Sequence, residues 1–118
     1  MVAITSCLKD EKRQRVAKKL HDRIIQDFLD LSVMALAQKQ DVSGYDVIEH
    51  INHKFNFRVS SGTVYSLLYS LERNGLIVGK WINRKRVYAM TPKGTETMEN
   101  ILSCHDSAMQ TFAQLFTV

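Results

Sequence analysis

Residues 59–91, V-S-S-G-T-V-Y-S-L-L-Y-S-L-E-R-N-G-L-I-V-G-K-W-I-N-R-K-R-V-Y-A-M-T, read as one helix, a glycine stop and two short strands joined by a basic turn. Ser60 and Ser61 suit a helix start, because a short side-chain oxygen can accept a backbone N–H freed there. Val64, Leu67, Leu68 and Leu71 recur at helical spacing and make one apolar stripe. Gly75 follows Asn74 where a C-terminal cap needs positive φ. At about 100° per residue, the face opposite the stripe holds Gly62, Ser66, Tyr69, Ser70 and Arg73, with Thr63 on its edge. Beyond the glycine, Leu76-Ile77-Val78, Lys80-Trp81-Ile82 and Val87-Tyr88-Ala89-Met90 are β-prone. Asn83-Arg84-Lys85-Arg86 between them sets a turn former beside three consecutive cations.

From Arg73 to Lys93 the chain carries Arg73, Lys80, Arg84, Lys85, Arg86 and Lys93 and no acid. A helix followed by a positively charged hairpin is how a winged helix-turn-helix presents itself to DNA. Small residues at the helix start allow close approach, hydroxyls reach phosphates or base edges, and arginine reads guanine or holds phosphate. A basic turn at the tip of a ribbon lies along phosphates or enters a minor groove. Either feature alone also fits a bland reading, a solvated helix face or a charged turn kept soluble. Their order favours DNA.

The run S-S-G-T-V-Y-S-L-L-Y-S-L-E-R-N-G-L-I, the wing W-I-N-R-K-R-V-Y-A-M-T and Pro92-Lys93-Gly94 resemble the PadR-like family of winged-helix transcriptional regulators. Upstream, D-F-L-D-L-S-V-M-A-L-A-Q and S-G-Y-D-V-I-E-H-I match that family's first two helices in order, so the likeness covers roughly residues 27 to 94. The resemblance implies a dimeric, DNA-binding, repressor-type protein without catalysis. It puts Ser61, Gly62, Thr63, Tyr65 and Ser66 at the recognition-helix start and Arg84 to Arg86 in the wing. Two departures stand out: Ser66 occupies a position where the family usually has proline, and Asp41-Val42-Ser43 one where it usually has proline-leucine-histidine.

At 118 residues the chain can bury one core and not two, so a single winged-helix domain over 1–118 is expected. No run of about eighteen apolar residues exists, and the start M-V-A-I-T-S-C-L lacks the charged leader of a signal peptide. A cytoplasmic, nucleoid-associated protein with no membrane partner is the expectation. The net charge of +4 is unevenly spread. Residues 8–23 hold seven Lys/Arg and three Asp/Glu, whereas residues 24–72 hold three against six. A basic N-terminal segment and a basic wing around a mildly acidic body suit a polyanion.

The other segments complete a mainly α fold with a small β-hairpin and extra N- and C-terminal helices. Residues 8–25 form a basic helix with Val16, Ala17, Leu20 and Ile24 on one side. Its cations are solvated, reach flanking phosphates or meet a membrane surface. Residues 27–39 are apolar almost all round from Leu31 to Ala37 and make the buried spine of a core spanning 27–91. Ser43-Gly44-Tyr45-Asp46 has the form of a capping box and opens a helix to about Lys54, with Tyr45, Val47, Ile48 and Ile51 available to the core. Phe55 to Val59 offers a short strand to the wing sheet. Thr91 caps a helix over 92–116 with Pro92 at its first position. Along it Met98, Ile101, His105, Ala108, Phe112 and Leu115 follow a heptad-like rhythm widened by Leu102, Met109 and Phe116. That is more apolar surface than a terminal helix needs, and it predicts a two-fold dimer interface through the terminal helices. Packing back on the chain's own core is the alternative.

Cys7 and Cys104 fit no metal spacing; they read as idle thiols or as an intersubunit disulfide. His50 and His53 share a helix face without a third ligand nearby, so no metal and no cofactor is expected. His105, inside the apolar stripe, reads as an interface histidine. No nucleophile–base order, phosphate loop or paired carboxylates support catalysis. The sequence thus commits to a homodimeric, sequence-specific binder of double-stranded DNA that regulates transcription. Thr63, Tyr65, Ser66, Tyr69, Ser70 and Arg73 work in or beside the major groove and Asn83, Arg84, Lys85 and Arg86 at the wing. The rivals are an architectural or replication-associated DNA binder of the same fold and a winged helix used as a protein-interaction module. Aromatic residues near a dimer cleft leave room for a small-molecule effector, but no residue argues for one.

Overall fold

The computed structural model describes residues 11–118. In chain order they form α1 (Glu11–Asp27), α2 (Leu29–Lys39), α3 (Gly44–Phe55), α4 (Ser61–Arg73), β1 (Ile77–Ile82), β2 (Lys85–Met90), α5 (Pro92–Ser103) and α6 (His105–Gln114). Three of the helix starts, those of α3, α4 and α5, are the ones their side chains dictate. Ser43 Oγ accepts the Asp46 N–H at 3.2 Å while the Asp46 carboxylate accepts the Ser43 N–H at 2.9 Å, a complete capping box. Ser60 caps α4 by accepting the Thr63 N–H at 3.2 Å, and Thr91 caps α5 by accepting the Gly94 N–H at 3.0 Å. Each such cap is worth about 1 kcal/mol. Gly75 ends α4 with φ 75°, a conformation that needs no Cβ.

One core holds these elements together. Val64, Leu68 and Leu71 of α4 meet Leu29, Val33, Met34 and Ala37 of α2, Val47 and Ile51 of α3, Ile77 and Tyr88 of the hairpin, and Met98 of α5. The nearly all-round apolar α2 is central because α3, α5 and β2 all pack against it. The hairpin is antiparallel, with Ile77 opposite Met90 and Ile82 opposite Lys85. Its faces therefore alternate: Ile77, Gly79 and Trp81 share one side with Met90, Tyr88 and Arg86.

Four expectations need correction. Phe55–Val59 adds no strand, because α3 runs to Phe55 and Asn56 then turns through the left-handed region at φ 51°. The edge of β2 is instead taken by Val42, which exchanges both backbone bonds with Tyr88 at 2.9 and 2.7 Å. Tyr45 is 64% exposed and no core residue. The C-terminal segment is two helices, not one, since the Cys104 N–H bonds back to Ile101 and Leu102 carbonyls and breaks the α pattern. Met98 is 6% exposed and belongs to the chain's own core, so it leaves the proposed interface. The basic helix ends at Asp27, and its expected first residues, 8–10, lie outside the described ones, as does Cys7.

The radius of gyration, 16.1 Å, exceeds the roughly 13–14 Å of a compact chain this long. The terminal helices account for it. On α1 only Ala17 and His21 are buried, with His21 6.5 Å from Phe55 and Lys18 donating to the Asn56 carbonyl at 3.2 Å. No residue of α6 is buried.

Candidate nucleic-acid interface

The exposed side of α4 is made by Ser61, Gly62, Thr63, Tyr65, Ser66, Tyr69, Ser70 and Arg73. Its apolar stripe faces inward, so burial alone fixes which residues look out. Gly62 has open space where a Cβ would stand, so the helix start is bare backbone available for close approach. Ser60 Oγ donates to Thr63 Oγ1 at 2.8 Å and fixes that hydroxyl beside the cap. Tyr65 lies against Gly44 at the start of α3: a Cβ there would come within 2.5 Å of the phenol ring. Further along, the Arg73 guanidinium carbon sits 5.7 Å from the Tyr69 ring centroid, a cation–π contact that holds both on this face.

At the other end of the site, Asn83 and Arg84 both have positive φ, 51° and 65°, as a two-residue type I′ turn requires. This turn twists with the strands and makes Arg84 the tip. Lys80, Arg84 and Lys85 are exposed around it. Arg86 is not at the tip. Its Nη2 donates to the Glu72 carboxylate at 3.0 and 3.3 Å, and its guanidinium carbon lies 5.6 Å from the Trp81 ring and 5.8 Å from the Tyr88 ring. Glu72 also accepts the Gly79 N–H at 2.8 Å. That backbone bond, with Arg86 and against a smaller desolvation effect, holds the Glu72 carboxyl below its usual value. Desolvation works against the charge on Arg86, yet Glu72 and Tyr88 outweigh it and raise the guanidinium further. Lys93 is occupied as well, donating to the Asn74 carbonyl at 2.9 Å and closing the end of α4.

Residues 33–100 match the sequence profile of the family described as transcriptional regulator PadR-like. The chain belongs to this family. No curated protein sequence matches it. Among solved structures, the PadR-like transcriptional regulator of Bacillus cereus is 24% identical with a TM-score of 0.67, the match covering 81% of this chain and 98% of that one. A PadR family regulator from Eggerthella lenta, 15% identical, superposes with a TM-score of 0.74 over 92% of this chain and 99% of its own. Bacillus subtilis PadR in complex with operator DNA is 21% identical with a TM-score of 0.59, over 64% of this chain and 46% of that one. At these identities the likeness is one of fold.

Within this PadR-like chain the expected recognition residues lie together on α4, and Asn83, Arg84 and Lys85 lie together at the wing. Arg86 stands apart, bound to Glu72 in the notch between α4 and the hairpin. Reading by sequence missed Glu72, although a signal was there. It is the only acid between Glu49 and Glu96, a lone carboxylate in a basic stretch. His105 is exposed beside Asp106 at 3.2 Å, and Leu102, Met109, Leu115 and Phe116 are exposed while Ile101 and Phe112 are half-buried. Among the described residues no helix is long and apolar enough to cross a membrane.

Proposed function

We propose that this PadR-like regulator binds double-stranded DNA as a homodimer and acts as a repressor. The start and exposed face of α4 enter the major groove, and the Asn83–Arg84 turn reaches the neighbouring minor groove or its phosphates. The observation that carries this reading is the continuity of hydroxyl and basic side chains from Thr63 to Arg73 and on to Lys80, Arg84 and Lys85, with the one intervening acid, Glu72, tied to Arg86. The fold shared with Bacillus subtilis PadR, whose structure holds operator DNA, supports it. In a two-fold dimer built through α1, α5 and α6, two α4 helices would lie about one DNA turn apart and read a near-palindrome. The protein acts at the nucleoid of the cytoplasm and performs no catalysis.

Fluorescence anisotropy with DNA from the gene's own upstream region and a shuffled duplex, at several salt concentrations, tests this. A preference of about a thousandfold or more identifies a specific, autoregulating repressor. Equal and steeply salt-dependent binding identifies an architectural binder of the same fold. Absence of binding to either DNA identifies a protein-interaction module and ends the proposal.

A further inference from the structure

Trp81 is the chain's single tryptophan and stands 71% exposed on β1. One side of the indole is taken by the Arg86 guanidinium, 5.6 Å from the ring centroid. Arg86 is in turn held by Glu72 of α4 at 3.0 Å. Because Trp81 pairs with Arg86 across the ladder, indole and guanidinium share the sheet face that looks toward α4. Trp81 therefore lines the notch between the helix and the hairpin, and the rest of its surface is open to solvent.

The geometry of a duplex says what passes there. With α4 in a major groove and the turn at the adjacent minor groove, one sugar–phosphate strand separates the two and must run through the notch. That strand presents apolar deoxyribose and anionic oxygens. An indole suits both, since its body covers the sugar and its Nε1–H, a donor only, reaches a phosphate. Charge selects this occupant over an apolar protein surface. The hairpin holds Lys80, Arg84 and Lys85 and no acid, and the carboxylate that Arg86 meets there, Glu72, is already paired.

We propose that Trp81 contacts DNA, its indole packed on the sugar–phosphate strand between the grooves, with Arg86 and Glu72 as the positioning pair that sets its angle. This rests on the DNA-binding reading above and adds a residue to it.

A lone tryptophan makes the test direct on the unaltered protein. Acrylamide quenching of its emission is measured free and with saturating upstream-region duplex, while labelled-DNA anisotropy reports binding independently. Quenching should fall severalfold on binding. Anisotropy that rises while quenching stays unchanged overturns the Trp81 contact and leaves the DNA-binding reading standing. No rise in anisotropy overturns both. Quenching that falls with protein concentration alone, without DNA, assigns the indole to a second copy and overturns the contact. In Trp81→Ala with a native far-UV spectrum, affinity should drop about tenfold with the salt slope unchanged, an apolar rather than an ionic loss. Full affinity in that variant would also overturn the contact.

Discussion

Glu72 joins α4 to the hairpin by accepting from Gly79 N–H at 2.8 Å and from Arg86 at 3.0 Å. Gly79 makes room for this, since a Cβ there would meet Arg86 Nε at 2.6 Å. Both partners are about two-thirds covered, so the pair is less screened than a surface ion pair. Glu72→Gln should lower the melting temperature by a few degrees at neutral pH and weaken DNA binding. Charge alone predicts the reverse for DNA, because removing an acid leaves the protein more basic. The pKa of Glu72 is depressed from its usual 4.5, so its stabilisation is present above that pH and fades as pH falls through the lower folded value. Thermal melts of the two proteins should therefore converge below about pH 4.5. Tighter DNA binding by the variant would show that geometry is not what the pair supplies.

Arg84 occupies a left-handed position, φ 65°, where a side chain is strained and glycine is at ease. Arg84→Gly should leave the melting temperature equal or slightly raised while weakening DNA binding. If the guanidinium holds one phosphate, the slope of log affinity against log salt becomes shallower by about one. An unchanged slope would remove the wing tip from the ionic contacts.

Much of this was legible because local rules act over a few residues. The Ser43–Asp46 box, the Ser60 and Thr91 caps, Gly75 and the α4 stripe are each decided by neighbours in sequence, and each is where its residues put it. What was not legible depends on partners far along the chain. Arg86 looks like Arg84 in sequence, yet strand alternation turns it toward Glu72, fourteen residues away. Met98 fits the same heptad rhythm as Phe112, but it lies before the break at Cys104 and is drawn into the core. Val42, not Phe55–Val59, completes the sheet, because pairing goes to the segment that topology brings to the edge of β2.

Gly94 sits on the first turn of α5, where a Cβ would collide with the Leu76 carbonyl oxygen and lie 3.2 Å from Met90 Sδ. The obstruction is backbone and cannot swing aside. Leu76 O also accepts the Thr91 N–H at 3.1 Å, so moving it loosens the junction of wing and α5. Gly94→Ala should destabilise by about 1–3 kcal/mol, as overpacking does, measured as a lower urea midpoint with unchanged slope. Wild-type stability in the variant would mean that α5 re-seats freely on the hairpin.

Leu102 and Met109 are 54% and 57% exposed on either side of the Cys104 break. Phe112 and Phe116 pack edge-on at 5.4 Å and continue the apolar surface, while α6 buries nothing against its own chain. Water-exposed apolar residues at this density call for a cover, and an isologous second copy supplies one with the fewest assumptions. Leu102→Glu combined with Met109→Glu puts two carboxylates into that seam from each copy, at a desolvation cost with no partner to offset it. In sedimentation the wild type should run at twice 13.6 kDa and the double variant at 13.6 kDa. The variant should keep its melting curve apart from any concentration dependence, because neither residue belongs to the core cluster. Its affinity for a palindromic site should fall much more than for a half-site, since two tethered α4 helices bind with an effective concentration that one lacks. A wild type that sediments at 13.6 kDa would remove the dimer and leave the α6 surface to another partner.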